Sequence, residues 1–294
     1  MPLDIFVPFW GDPSLLRETV ASVQAQSSDD WLLTVVDDAY PDESVAEYFA
    51  AIDDPRIKYI RNETNVGITQ NYVTCRAMAT QELLVWLGCD DVLHPNYVEV
   101  VLAAHAAHPE ASIIQPGVVV IDETGAQIDP MGDRIKRRVM PHASGRQLLS
   151  GEDLAVSLLR GNWLYWPSLA FRRDRVAQFE FRDGLPIIQD LALIMDMVYA
   201  GDSLLVEPTV CFSYRRHTAS ASSASILSGS RFADDRRYFA IARDQARDHG
   251  WRRAERAARI RLTSRAHALS MVPGAVARGR FSALRPLVVH ALHI

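Results

Sequence analysis

Short apolar runs alternate with stretches of helical spacing along most of this chain. Ile5-Phe6-Val7-Pro8-Phe9 reads as a strand that ends at Gly11-Asp12-Pro13. Ser14 can cap a helix continuing through Leu15, Leu16, Val20 and Val23. Trp31 to Val36 reads as a second strand, stopping at Asp37-Asp38 and the turn-forming Pro41-Asp42, with a helix over 44–52. Ile57 to Ile60 is a third strand, Asn65-Val66-Gly67 a tight turn, and Thr69 opens a helix to about Ala79. The apolar run Leu83 to Leu87 then stops abruptly at Asp90-Asp91, and Pro95 starts the next element. Strands alternating with helices at this spacing predict an α/β fold with a doubly wound, mostly parallel sheet.

Past Pro95 the pattern predicts a helix to about His108, a strand over 111–121 and a hairpin turn at Glu123-Thr124-Gly125. Residues 129–147 are polar, rich in Arg and without periodicity, so a mobile loop is expected there. A helix starting at Ser150 and ending near Arg160, an aromatic segment from Trp163 that ends in a strand near Phe171, a helix opened by Asp190, and a strand over 204–214 follow. From about Ser228 the pattern is helical, with breaks expected at Pro273-Gly274 and Pro286.

Composition narrows the class. A chain of 294 residues, 48% apolar and 23% charged, can bury a full core, and no apolar run reaches membrane-helix length. The N-terminus shows no basic region followed by a cleavage site, from which a cytoplasmic chain is expected. Cys75, Cys89 and Cys211 have no metal-like spacing and fit reduced thiols, with Cys89 a packed side chain rather than a nucleophile. The net charge of −5 hides an asymmetry: from Arg231 onward there are fourteen Arg against five Asp or Glu. Packing of this tail on the acidic body, or on a second subunit in a homodimer, is expected ahead of peripheral membrane contact, and no nucleic-acid partner is expected.

Candidate chemistry sits at the strand ends. In an open α/β sheet the ligand crevice lies at the carboxyl ends of the strands, so Asp90 and Asp91 are placed either to hold a divalent cation on phosphate oxygens or to form an ordinary turn. Pro8, Phe9 and Trp10 offer an aromatic wall for a planar ligand, or core packing; Asp37 and Asp38 offer an acceptor for an N–H, or a turn. Asn65 and Gly67 serve a turn, or close backbone approach to a ligand. Trp163, Tyr165 and Trp166 offer stacking faces for an acceptor, shared with the 129–147 segment, or belong to the core.

In order, Val7-Pro8-Phe9-Trp10, Val36-Asp37-Asp38, Asn65-x-Gly67, Asp90-Asp91-x-x-x-Pro95, Asp190 at a helix start and Tyr214-Arg215-Arg216-His217 resemble family 2 glycosyltransferases of the GT-A fold. The resemblance covers roughly residues 3–222. It implies a glycosyltransferase domain over 1–222 and a basic helical C-terminal extension over 223–294. It implies nucleotide contacts from Pro8, Phe9, Asp12, Asp37, Asp38, Asn65, Gly67, Asn71 and Asp90. It further implies a Mg or Mn ion on Asp90, Asp91 and His217, and Asp190 as catalytic base. The activity implied is inverting transfer of a hexosyl or deoxyhexosyl group from a UDP- or dTDP-sugar to a carbohydrate or lipid-linked acceptor, in cell-envelope polysaccharide, glycolipid or secondary-metabolite glycan synthesis. A non-catalytic nucleotide-binding scaffold and, behind it, a sugar nucleotidyltransferase are the alternatives. Three departures from the family pattern stand out: Gly88 where its first motif Asp would be, Ala39-Tyr40 in place of a Gly-Ser turn, and Gln189-Asp190 in place of Glu-Asp.

Overall fold

Period-two alternation in β1 (Leu3–Phe9) sends Leu3, Ile5, Val7 and Phe9 to one face of a sheet and Phe6 to the other. The β4 strand (Leu83–Trp86) repeats the device, with Leu83 and Val85 on the first face and Leu84 and Trp86 on the second. Apolar residues on both faces require cover on both, and the chain supplies it as two hydrophobic cores. The computed structural model describes residues 2–141, 145–216, 230–277 and 281–292.

The remaining described strands are β2 (Trp31–Asp37), β3 (Ile57–Arg61), β5 (Val92–Leu93), β6 (Ile113–Ile121), β7 (Gln127–Ile128), β8 (Gln147–Leu149), β9 (Ala170–Arg172) and β10 (Leu204–Arg215). Their order is β3-β2-β1-β4-β9-β6-β10-β5, with β7 on β6 and β8 on β10. The long strands pair in parallel: β3 with β2, β2 with β1, β1 with β4, and β6 with β10. Short β9 runs antiparallel between β4 and β6 and joins the two parallel blocks. The expected hairpin at Gly125 is present as β6–β7. Near its middle β10 bulges between Val206 and Phe212, and Gly117 opposite is needed there, because a Cβ would meet the Pro208 carbonyl at 2.7 Å.

Eight helices precede residue 217 among the described residues: α1 (Pro13–Gln24), α2 (Ser44–Ala50), α3 (Ile68–Met78), α4 (Tyr97–Ala107), α5 (Met131–Val139), α6 (Gly151–Arg160), α7 (Arg173–Val176) and α8 (Gln189–Tyr199). The cap of α1 is Asp12, whose carboxylate accepts from the Ser14 N–H at 2.7 Å, and not Ser14 as its position suggested.

The mobile loop expected over 129–147 is corrected: it contains α5. This helix inverts the usual pattern. Met131 and Ile135 are 65% and 45% exposed while Asp133 is 1% exposed, so the spacing of apolar residues carries no sign of the buried side.

The C-terminal helices complete the second core. Tyr238, Phe239, Ala242 and Ala246 from the helix Ser230–Asp248, and Ala254, Ala257 and Ala258 from Arg252–Ile260, lie in the same cluster as α6 and α8. Arg253 caps this contact, pairing with Glu152 at 2.9 Å and Asp153 at 2.7 Å. Breaks expected at Pro273 and Pro286 are also corrected, since the helices Leu262–Ala277 and Phe281–Leu292 run through them. No helix among the described residues is long and apolar enough to cross a membrane.

A small third core holds Phe232, Ala268, Leu287 and Ala291, with His290 fully buried beside it. Burial first, then the charges of Arg261, Arg236 and Arg265, push the His290 pKa down from 6.5 to about 4. Asp235 faces the same group through Ser264, whose hydroxyl bonds both side chains at 2.7 Å. The folded pKa lies below the unfolded one, so this stability is complete above the unfolded value and is lost as pH falls through the window toward 4. Up to about 3 kcal/mol is at stake. Melting curves should show the wild-type Tm falling more steeply than that of His290→Leu across that window; parallel slopes would refute the buried neutral imidazole.

Candidate functional site

The carboxyl ends of β1, β2, β4 and β10 and the N-terminus of α3 meet around a cleft of about 480 Å³. Pro8, Phe9 and Trp10 line it from β1, Asp38 from the turn after β2, and Asn65, Gly67, Ile68, Asn71 and Tyr72 from the start of α3. The segment after β4 gives Gly88, Cys89, Asp90 and Asp91, and β10 with the residue after it gives Tyr214, Arg215 and Arg216. Sequence-distant segments thus reach one crevice because parallel strands end on one side of the sheet.

Asp38 builds the turn that walls the cleft. Its Oδ1 accepts from Asn62 Nδ2 at 2.9 Å and from the Val66 N–H at 2.8 Å, and its Oδ2 accepts from the Gly67 N–H at 2.8 Å. Gly67 has φ +83°, a conformation that strains other residues, which accounts for glycine at the head of α3. Asp37 is fully buried and does not line the cleft; it accepts from the Tyr40 N–H at 2.7 Å and from the Tyr59 hydroxyl. That geometry is the turn alternative, and between these carboxylates and Tyr40 sits Ala39 at φ +60°. Asp12 is likewise outside the cleft lining, as the α1 cap.

Two buried acceptors on the cleft wall have no hydrogen-bond partner among the described residues. Asn71 is 1% exposed; its Nδ2 donates to the Val36 carbonyl at 2.9 Å, leaving Oδ1 without a bond. Asp91 is also 1% exposed; its Oδ1 accepts from the Arg215 N–H at 2.8 Å, leaving Oδ2 without a bond. Burial, and next the charge of Asp90, raise the Asp91 carboxyl well above the usual carboxylate range, against the bond from Arg215. An unsatisfied buried acceptor costs about 1–3 kcal/mol, more when charged, so these atoms are ready for a ligand.

Gly88 fits the same arrangement. A Cβ there would stand 2.4 Å from Asp91 Oδ2 and 3.1 Å from Asp90 Oδ1, so the carboxylates occupy the space a side chain at 88 would need. Among the described residues no group of three or more His, Cys, Asp or Glu side chains is placed to hold a metal. The pair Asp90 and Asp91 suits a hard divalent cation that takes its other oxygens from a substrate, and the unbonded Asp91 Oδ2 is the donor atom such an ion requires. His217 lies outside the described residues. The Cys89 thiol is pushed up to about 12 by burial and the Asp90 charge, which keeps it protonated and unreactive.

The aromatic segment is mainly core. Trp163 is 1% exposed and donates to Ser157 Oγ at 3.0 Å; Trp166 stacks on Trp86 at 5.3 Å between centroids; the Tyr165 hydroxyl donates to Asp133 at 2.9 Å. All three rings are buried, and Pro167 alone of this segment lines the cleft. Asp190 stands half-buried in the first turn of α8 and is not among the residues lining the cleft. Its charge acts on Tyr72, whose phenol is raised first by burial and also by Asp190. The helix start is tied to the first turn of α3 by Thr69, which donates to Gln189 Oε1 at 2.6 Å. Tyr72, Arg216 and Asp133 escaped the sequence reading as site residues; a buried carboxylate inside an Arg-rich stretch was the available signal.

Gly88→Ala tests the crowding at the acidic pair. The added carbon must displace the Asp91 carboxylate from the Arg215 N–H, and urea unfolding should show a loss of about 1–3 kcal/mol. Unchanged stability would mean that Asp91 has room to turn away.

Residues 4–174 match the model for Glycosyl transferase family 2. EpsE of Bacillus subtilis (strain 168) is 31% identical over 114 residues, or 38% of this chain and 41% of EpsE. WcaA of Escherichia coli (strain K12), named for colanic acid biosynthesis, is 31% identical over 102 residues, 34% of this chain and 37% of WcaA. RfbC of Myxococcus xanthus, an O-antigen biosynthesis protein, is 28% identical over 221 residues, 72% of this chain and 15% of RfbC. The matched stretch thus spans less than half the length of each of these relatives. Among solved structures, S. aureus TarS 1-349 superposes with a TM-score of 0.66 at 12% identity, covering 99% of this chain and 81% of that one. The same protein in complex with UDP-GlcNAc gives 0.62 at 13%, covering 99% and 90%. A shared fold at that identity, a family match over more than half of the chain, and carboxylates at the strand ends lead to one assignment: this chain belongs to glycosyltransferase family 2 and has the GT-A fold.

Proposed function

We propose that the chain transfers a sugar from a nucleoside diphosphate donor, of the UDP or dTDP type, to an acceptor hydroxyl with inversion, in the synthesis of a cell-envelope polysaccharide. The observation that carries this reading is the pair of unbonded buried acceptors, Asn71 Oδ1 and Asp91 Oδ2, on one cleft at the strand ends. The names of WcaA and RfbC support the polysaccharide class, and the TarS complexes with UDP-GlcNAc and UDP support the donor class.

In this mechanism Asn71 Oδ1 accepts an N–H of the base, while Trp10 gives it an aromatic wall; Phe9 is fully buried in the first core and does not. Trp10 is 51% exposed and meets Tyr40 edge-on at 5.3 Å, so one ring face remains open to stacking. Asp90 and Asp91 would hold a Mg or Mn ion, which when bound would supply neutralisation of the charge on the departing diphosphate. Asp190 takes the proton from the acceptor hydroxyl as its oxygen attacks the anomeric carbon. Position in the first turn of α8 favours the ionised carboxylate, and the Thr69–Gln189 bond fixes where that helix begins.

Asp190→Asn retains size and removes the base. Transfer should fall about 10²–10⁴-fold, while the melting temperature and its rise on adding UDP with Mn stay near wild type. Transfer within a few-fold of wild type would place the base elsewhere. In Asp90→Asn the stimulation of donor hydrolysis by Mn should disappear; a wild-type response would remove Asp90 from the metal site.

A further inference from the structure

Arg215 and Arg216 are neighbours with opposite employment. Arg215 is 3% exposed, and its guanidinium is consumed by structure: Nε donates to the Asp90 carbonyl at 2.7 Å, Nη1 to the Asp122 and Glu123 carbonyls at 3.1 and 3.2 Å, and Nη2 pairs with Glu18 at 2.7 Å. Arg216 sends Nε to Asp133 Oδ2 at 3.1 Å and Nη2 to Asp133 Oδ1 at 2.9 Å. Its Nη1 bonds to none of the described residues. The side chain is 37% exposed and lines the cleft that also holds Asp90 and Asp91.

We propose that Arg216 is a donor-binding residue that presents Nη1 to the phosphoryl oxygens of the nucleoside diphosphate, and that Asp133 is its positioning residue. This rests on the proposed transfer reaction and adds a cation to its cleft. The physical case begins with Asp133. A buried carboxylate is costly unless paired and hydrogen-bonded, and here one fork of a guanidinium and the Tyr165 hydroxyl satisfy it. A two-bond clamp fixes the plane of the guanidinium, and with it the direction of the remaining N–H groups, before any ligand arrives. An arginine free to move would lose rotamer freedom when it bound. Tyr214 lies under the guanidinium, 5.0 Å from its ring centroid, and limits motion from the other side. Arg216 is also among the charges acting on the Asp91 carboxyl, which places it at the acidic end of the cleft.

Phosphoryl oxygens are the ligand that matches this arrangement. The cleft's acidic pair calls for a cation, and a diphosphate bridging that cation still has peripheral oxygens for a preoriented donor. The placement also accounts for α5: the helix brings Asp133 to Arg216 at the cleft, while Val139 at its end packs on the second core.

The test compares UDP with uridine by calorimetry in the presence of Mn, using the full chain. Arg216→Gln should weaken UDP by tenfold or more and leave uridine unchanged. Since that variant strands the Asp133 carboxylate, Asp133→Asn/Arg216→Gln, a neutral pair, supplies the same comparison in a fold without a buried unpaired charge. Asp133→Asn alone should weaken UDP by a smaller factor, again without touching uridine, and Arg216→Lys should not restore it, because an ammonium lacks the fork. Equal losses for UDP and uridine, or UDP affinity retained in both Arg216 variants, overturn the proposal alone. A wild-type protein that binds no UDP overturns the donor reading and this proposal together.

Discussion

The bond from the Arg215 N–H to Asp91 Oδ1 is the contact on which the cleft depends. It joins the segment between β4 and β5, at the residue just before β5, to the end of β10, on which β5 itself pairs. A strand of two residues gives that segment little anchorage of its own. Arg215 ties it down twice more, with its backbone N–H on the Asp91 carboxylate and its Nε on the Asp90 carbonyl. The acidic pair is thereby locked in position and one oxygen of Asp91 is used up. The same lock explains Gly88, since the carboxylates fixed by Arg215 fill the space that a side chain at 88 would occupy. Absence of the first motif carboxylate and presence of a buried, pinned Asp91 are two sides of one packing solution.

A second constraint sets the opposite wall. Asp38 spends three bonds on Asn62, Val66 and Gly67, so the residue that reads as a base contact is the one that shapes the turn. Asp38 thus sets shape, and the acceptor left open on this wall is Asn71 Oδ1, one helical turn past Gly67, which has no partner among the described residues. Division of labour of this kind is common where a carboxylate is fully buried, because its lone pairs must be satisfied by the protein itself.

These same facts explain how much could be read from sequence. Strand ends were legible because β1, β2 and β4 are apolar runs cut off by carboxylates, proline or glycine, and period-two alternation in Leu3–Phe9 survives any tertiary context. The roles of the carboxylates were not legible, because Asp38 and Asp91 are set apart by donors that lie far away in the chain, Asn62, Val66 and Gly67 for the one and Arg215 for the other. The α5 helix was hidden for a related reason. Its anchor is Asp133, so its burial is electrostatic, and a search for apolar periodicity passes over it. Rings at Trp163 and Trp166 were ambiguous because a stacking platform and a core aromatic have the same composition; only the Trp86 and Ser157 partners separate them. At the C-terminus the Arg-rich spacing concealed an alanine face, Ala254, Ala257 and Ala258, that packs closely on the second core.

What the cleft asks of a ligand follows from what it leaves unsatisfied. Asn71 Oδ1 and Asp91 Oδ2 are both acceptors, and both are buried, so a ligand must bring a donor to one and a donor or cation to the other. Water could serve each singly, at an entropic cost of about 0–2 kcal/mol per ordered molecule. A single molecule that carries an amide N–H at one end and anionic oxygens able to recruit a cation at the other satisfies both in one binding event. The half-exposed ring of Trp10 and the guanidinium of Arg216 line the same cleft. The proposed donor, a pyrimidine nucleoside diphosphate, carries a planar ring with an N–H and a diphosphate, and so has a part to offer each of these groups as well as the two unbonded acceptors.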